Sequence, residues 1–206
     1  ARAGMKLQII SQSDIISGFF PDFIIHTGSS GETVVRKLLS FVPDHLFIEG
    51  DSAYILNPLE EDEPVYSYGV NHPIFKGHYT FGTQSINLTT VEGLSAGGEK
   101  ILKDSFNWDS IAETRLRGMR IIDRNLASVT EAAARGETYL EKAEKESSGG
   151  YIDVPVNCGQ QLFDVIEITD KRAGLEAVKK RIMEIEFEYM SAFGRYRQRF
   201  GLGGVG

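Results

Sequence analysis

The 206-residue chain has a single cysteine, Cys158, one tryptophan and six prolines. One thiol excludes an intrachain disulfide and any zinc site assembled from several cysteines. Positive charge is also short, with 22 Lys and Arg against 29 Asp and Glu and a formal net charge of −7. That balance provides no long-range attraction to nucleic acid or to an anionic membrane, so neither is expected as a partner. No apolar run approaches the ~18 residues that a membrane-spanning helix needs. No repeat with a period of about 20–50 residues occurs, and no low-complexity tract, which removes solenoids and propellers. No secretory leader is recognisable. The chain opens at Ala1 with its first methionine at Met5, as a piece of a longer protein would, and the closing GLGGVG reads as a tail or the start of a linker. What is present is an ordinary globular balance, 41% apolar and 25% charged, enough for one large domain or two small ones.

The N-terminal quarter reads as a β-α-β-β unit over residues 1–62. GMKLQII is a strand, and Phe23 to His26 suggest another. TGSSGET then turns the chain into a helix, with Ser30 as its cap and Glu32 at the positive end of its dipole. Val34, Val35, Leu38, Leu39 and Val42 follow helical spacing, and Pro43 stops them. The same loop resembles a phosphate cradle only faintly, because it lacks the Gly-Lys-Ser/Thr ending. HLFIEGDSAYIL is a hairpin in which Gly50-Asp51 suits a type II′ turn. The acidic NPLEEDEP closes the unit as an exposed loop or linker.

Further on, SINLTTVEG reads as a strand ending at Gly93. Leu126, Val129, Ala133, Gly136, Leu140 and Ala143 then form a narrow helical stripe. Its small residues call for a closely packed neighbour, since Gly136 costs about 1 kcal/mol of helix propensity relative to Ala. Glu131, Arg135, Glu137, Glu141, Lys142 and Lys145 form the solvated face. In RIMEIEFEYM, Glu184, Glu186 and Glu188 alternate with apolar residues, and in GRYRQRF, Arg195, Arg197 and Arg199 alternate likewise. A hairpin folded around Ser191-Ala192 pairs Glu188 with Arg195, Glu186 with Arg197 and Glu184 with Arg199. It also sets Phe187 against Tyr196 and Met183 against Phe200. Both faces agree on this register, because a one-residue slip inverts every side chain.

Chemistry-bearing residues are scattered. Cys158 is a nucleophile only if a base or positive charge lies beside it. His72 and His78 bracket HPIFKGH, but the spacing is not the helical i, i+4 pair, and Pro73 opposes a helix. Asp164, Glu167 and Asp170 supply carboxylates for a hydrolase only if their environments separate their pKa values. The ring cluster Tyr66, Tyr68, Phe75, Tyr79 and Phe81 is either a carbohydrate or protein contact surface, or the core of a small β domain. No cofactor is implied.

The order of segments in the C-terminal half is the most specific signal. A strand ends in VEG, and IAETRLRGMRIIDRNLASVTEAAARGETYLEKA follows. Then come VPVNCGQQLFDVIEITDKRAGL and the hairpin KRIMEIEFEYMSAFGRYRQRFGLG. This order resembles the tail hub or baseplate hub proteins of tailed bacteriophages. The P-x-N-x-G run at Pro155, Asn157 and Gly159 and the D-V-[IV]-x-[IV]-T-D run from Asp164 to Asp170 carry the resemblance. It implies an α+β chain in which residues 63–206 form an antiparallel β-barrel-like domain with a helical insert near 108–146. It makes VPVNCGQQLFDVIEITD wall architecture, with Pro155 opening the strand, Leu162 to Ile168 as its body, and Asp170 and Gly174 turning the chain. It also implies a non-enzymatic virion tail component that joins the tail tube to a spike or fibre apparatus. Its partners would be other tail or baseplate proteins and copies of itself, in a ring that is commonly a trimer. The spikes of type VI secretion machines share the general barrel architecture. The ring cluster and the Glu/Arg ladder are the candidate interfaces. The rival readings are a carbohydrate- or cell-surface-binding module that uses the Tyr-rich loops, and a cell-wall hydrolase.

Overall fold

The computed structural model describes residues 4–18, 20, 25–80, 86–95, 97–124 and 126–205. In chain order they form β1 (Lys6–Ile9), α1 (Asp14–Gly18), α2 (Gly31–Leu39), β2 (His45–Glu49), β3 (Ser52–Leu56), β4 (Tyr66–Tyr68) and β5 (Lys76–Tyr79). There follow β6 (Leu88–Leu94), β7 (Lys100–Phe106), α3 (Trp108–Glu113), β8 (Gly118–Ile122) and α4 (Val129–Ser147). The chain ends with β9 (Gly150–Pro155), β10 (Val165–Asp170), β11 (Leu175–Met190) and β12 (Arg195–Gly203). The fold is α+β, with a curled half-barrel sheet and one long helix. Two compact units are each discontinuous in sequence: 1–58 with 86–142, and 59–85 with 143–206. A boundary near residue 62 lies beside one of the three crossings; the crossings at 85/86 and 142/143 have no composition break to mark them.

The first unit holds two three-stranded sheets, ordered β1-β3-β2 and β7-β6-β8. Gly50 takes φ +60° between β2 and β3 while Asp51 stays out of the left-handed region, as a type II′ turn requires. Ser30 caps α2 by accepting from the Thr33 amide, and Glu32 pairs with Arg36 one turn on. The helix ends at Leu39, so Phe41 and Val42 leave it and enter a core with Val91, Ile101, Leu126 and Ala132. The strand expected at Phe23 to His26 falls largely outside the described residues; Ile25 and His26 are not in a strand.

The stretch near 108–146 is not one helix. It contains α3, then β8 running parallel to β6, and only then α4. Ser128 and Glu131 close a reciprocal cap on α4: the Ser128 hydroxyl accepts from the Glu131 amide, and the Glu131 carboxylate accepts from the Ala127 amide. Gly136 meets the close neighbour its place in the stripe demanded. A Cβ there would stand 2.8 Å from Thr89 Oγ1 and Ser105 Oγ, and Thr89 donates to the Gly136 carbonyl at 3.1 Å. The stripe itself is turned: Ala132, Gly136, Leu140 and Ala143 are buried, while Val129 is exposed. Arg135, expected in solvent, lies half-buried with its guanidinium 5.0 Å from the centre of the Phe41 ring, and that burial lowers its pKa.

The second unit is a six-stranded sheet ordered β4-β10-β11-β12-β9-β5, antiparallel except where β4 runs parallel to β10. Tyr68, Ile152, Val154, Ile166, Ile168, Ile182 and Phe200 form its core. Pro155 closes β9 rather than opening it. It stands beyond the last β5 pair, Lys76↔Asp153, where a missing N–H breaks no bond of that ladder. β10 begins at Val165, three residues later than expected, because Phe163 takes φ +71° and turns the chain first. Asp170 accepts from the Arg172 amide and Gly174 takes φ +70°, which is the turn the sequence indicated. GLGGVG is no free tail: β12 runs to Gly203, where a Cβ would meet Met183 and the Lys145 carbonyl.

Candidate functional site: the long hairpin

The longest strand in the chain, the 16-residue β11, folds back on β12. The register is Glu188↔Arg197, Glu186↔Arg199 and Glu184↔Gly201, closed by Met190↔Arg195. The expected pairs Glu188–Arg195, Glu186–Arg197 and Glu184–Arg199 are therefore each displaced by two residues. The turn is the reason. Ser191–Phe193 form a 3₁₀ turn and Gly194 takes φ +57°, so four residues make the loop where two were expected. A shift of two keeps every side chain on its face. Phe187 lies opposite Gln198 and Phe200 opposite Ile185, so Phe187–Tyr196 and Met183–Phe200 are not pairs.

On the charged face, Asp153 of β9 is the centre. Arg199 donates to both of its oxygens, at 2.7 and 3.2 Å, and Arg197 donates at 3.0 Å. Arg197 also bonds Glu188, Arg199 lies 3.7 Å from Glu186, and the Arg199 guanidinium stacks 4.4 Å from the Tyr151 ring centre. The hydrogen bond from Arg199 holds the Asp153 carboxyl below the usual carboxylate range, against the opposing effect of burial. Glu184 and Arg195 make no ion pair among the described residues. Four of the six ladder residues thus join Asp153 in a clamp that locks β9, β11 and β12 together.

The opposite face changes along its length. Ile185 and Phe200 pack at the core; beyond them come Phe187, then the pair Tyr189↔Tyr196, then Phe193 in the turn. Tyr189 is 71% exposed and Phe193 80% exposed, and the Tyr189 and Tyr196 rings meet edge to face at 5.8 Å. An apolar strip thus runs from the core out to the hairpin tip. Sequence alternation located Phe187, Tyr189 and Tyr196; the end of the β9 pairing at Arg197↔Pro155 shows that Tyr189, Tyr196 and Phe193 project past it.

No protein-family model matches this chain, and no curated protein matches it. Solved structures do. It is similar to the 43 kDa tail protein of prophage MuSo2 from Shewanella oneidensis, with TM-score 0.66 and 16% identity over 98% of this chain and 60% of that one. It is also similar to the tail protein from Neisseria meningitidis MC58, with TM-score 0.68 and 14% identity over 88% of this chain and 57% of that one. A chain in the virion of the native gene transfer agent particle matches with TM-score 0.58 and 13% identity, covering 88% of this chain and 40% of that one. The chain has the fold of phage tail proteins. It spans about 60% of the length of the first of these and less of the others.

Within this tail-protein fold the ring cluster divides. Tyr68 is buried in the core, with its hydroxyl accepting from Asn157 Nδ2 at 3.2 Å, so it is not a contact residue; burial pushes its pKa up to about 12. Tyr79 is half-buried and donates to Asp170 at 3.1 Å. Tyr66 and Phe75 are exposed, and Phe81 lies outside the described residues. His72 Nε2 lies 3.0 Å from the Pro155 carbonyl, which can only accept. A neutral ring then leaves Nδ1 to accept from the Tyr66 hydroxyl at 3.1 Å. His78 sits elsewhere, 5.7 Å from the Tyr151 ring centre. The acids singled out from the sequence are engaged locally: Asp170 with Arg172 and Tyr79, Glu167 with Ser67, and Asp164 with the Gln161 amide. Cys158 is exposed on an Asx turn in which Asn157 accepts from the Gly159 amide.

Proposed function

We propose that this chain is a structural component of a phage tail tip or baseplate hub, located in the virion tail, where it joins the tail tube to a spike or fibre apparatus. The observation that carries this reading is the likeness in fold to a prophage tail protein over 98% of the chain. In it the chain acts by contact rather than by chemistry. Its partners are other tail or baseplate proteins and further copies of itself, arranged as a ring, with three copies as the expected number. The projecting strip of Phe187, Tyr189, Tyr196 and Phe193 is the first contact surface, because large exposed rings on a stiff two-stranded arm suit burial against another protein. The clamp on Asp153 holds that arm in place. No helix of the described residues is long and apolar enough to cross a membrane.

Sedimentation equilibrium across a wide concentration range, with negative-stain imaging of the same sample, tests the reading. Closed rings of three copies are expected. A Tyr189→Ser/Phe193→Ser variant is expected to fold normally and to lose binding to neighbouring tail proteins. A chain that neither assembles nor binds isolated tails contradicts the proposal.

A further inference from the structure

The β1-β3-β2 sheet has two outer strands, and they complement each other. β1 runs parallel to β3, and the Lys6 and Ile10 amides donate to the Asp51 and Ile55 carbonyls of the β3 side. By alternation, the backbone groups of Leu7 and Ile9 point away from β3. On the other side, the two-residue turn makes Glu49↔Ser52 the hydrogen-bonded closing pair, so Glu49, Phe47 and His45 bond β3. The backbone groups of Leu46 and Ile48 therefore point away from the sheet. Leu7, Ile9, Leu46 and Ile48 also share one face, because Leu7 and Ile48 both flank Ala53, and Ile9 and Leu46 both flank Ile55. Three of these four are among the most exposed apolar residues of the strands: Leu7 at 61%, Ile9 at 57% and Ile48 at 61%.

We infer that β1 of one copy adds to the outer edge of β2 of the next, joining the small sheets of neighbouring chains into one. Copies in the same orientation bring β1 to β2 antiparallel, since β1 is parallel and β2 antiparallel to the strand between them. One register satisfies three independent requirements. It sets Leu7 of the next copy opposite Ile48 and Ile9 opposite Leu46, and in both pairs the outward backbone groups face each other for reciprocal bonds. It continues the apolar face without interruption. It places Lys6 of the next copy opposite Glu49, two exposed residues of opposite charge on the polar face. A one-residue slip fails all three. The contact also lengthens an apolar face that is incompletely covered within the chain. There an open groove of about 710 Å³ is lined by Val35 and Leu39 of α2 and by Leu46, Ile48 and Ala53 of the sheet. The two patches differ, so the contact is heterologous: it propagates from copy to copy and makes a ring where its rotation closes.

The inference shares with the hub reading only the premise that copies assemble. Its test is a Lys6→Cys/Glu49→Cys/Cys158→Ser chain, mildly oxidised. Within one copy, positions 6 and 49 flank Ser52 across two strand spacings, roughly 9.5 Å, which is beyond the reach of a disulfide. A covalent ladder that runs past the dimer is the expected result. Charge reversal reads the same contact without a thiol. Lys6→Glu or Glu49→Lys alone is expected to weaken self-association roughly tenfold, and the double reversal to restore it. Rings that form normally without cross-linking and ignore both reversals overturn the β1–β2 contact and leave the hub reading standing. A ladder without closed rings keeps the contact and removes the ring. Monomers with no ladder overturn the contact.

Discussion

The two kinds of sheet in this chain are built from the same alternating strands and end in opposite conditions. In the six-stranded sheet, Ile152, Val154, Ile166, Ile168, Ile182 and Phe200 are fully buried among themselves. In the β1-β3-β2 sheet every residue of β1 is exposed, and α2, the nine-residue helix beside it, buries none of its own residues. The difference is one of cover. A wide sheet that curls can close its apolar face on itself, whereas three short strands and one helix do not supply enough surface to do so. Alternation therefore reports which face is apolar, but not whether the cover for that face lies in the same chain.

Substitutions can break this contrast or sharpen it. The largest effect is expected at Gly69, which takes φ +102° and where a Cβ would lie 1.7 Å from the Thr169 carbonyl oxygen. Gly69→Ala should lower stability in urea, followed by circular dichroism, by more than about 3 kcal/mol. Phe200→Ala removes the centre of the large core, and a loss of about 3–5 kcal/mol is expected in the same experiment. A loss below 1 kcal/mol there would mean that the wide sheet is no better closed than the small one. Asp153→Asn tests the clamp. Its carboxyl has a lower proton affinity folded than unfolded, so its contribution is complete above the unfolded value of about 4 and fades as pH falls toward the lower folded value. The variant should lose about 1–3 kcal/mol at neutral pH, and the gap to wild type should narrow below about pH 4. Ile9→Ala should have the smallest effect, within about 0.5 kcal/mol for the separated chain. A value above 2 kcal/mol at high protein concentration only would report burial of that strand by a second copy.

Much of the architecture was legible because local chemistry dictated it. Gly50 marked the β2–β3 turn, Ser30 marked the start of α2, and the Glu and Arg alternation marked two strands and their faces. The register of the long hairpin was not legible, because four residues from Ser191 to Gly194 form the turn and alternation is blind to a shift of two. β8 was hidden because it pairs in parallel with a strand some thirty residues away, which leaves no turn signature beside it. Arg135 reads as a surface charge in any helical pattern; only the Phe41 ring, supplied from a distant segment, draws it in. The Ser128-x-x-Glu131 spacing is a capping-box signature, and it marks the start of α4 in the sequence itself. At the candidate site, aromatic density near residues 66–81 drew attention to Tyr68, a core residue. The exposed rings at the hairpin tip lay instead in a segment whose charges dominated its pattern.

The exposed thiol of Cys158 has a practical consequence. It is the only cysteine in the chain, and it is exposed on a turn. A maleimide-linked gold cluster would therefore attach once per copy. Counting clusters on single particles would give the number of copies in an assembly directly, without averaging and without assuming any symmetry.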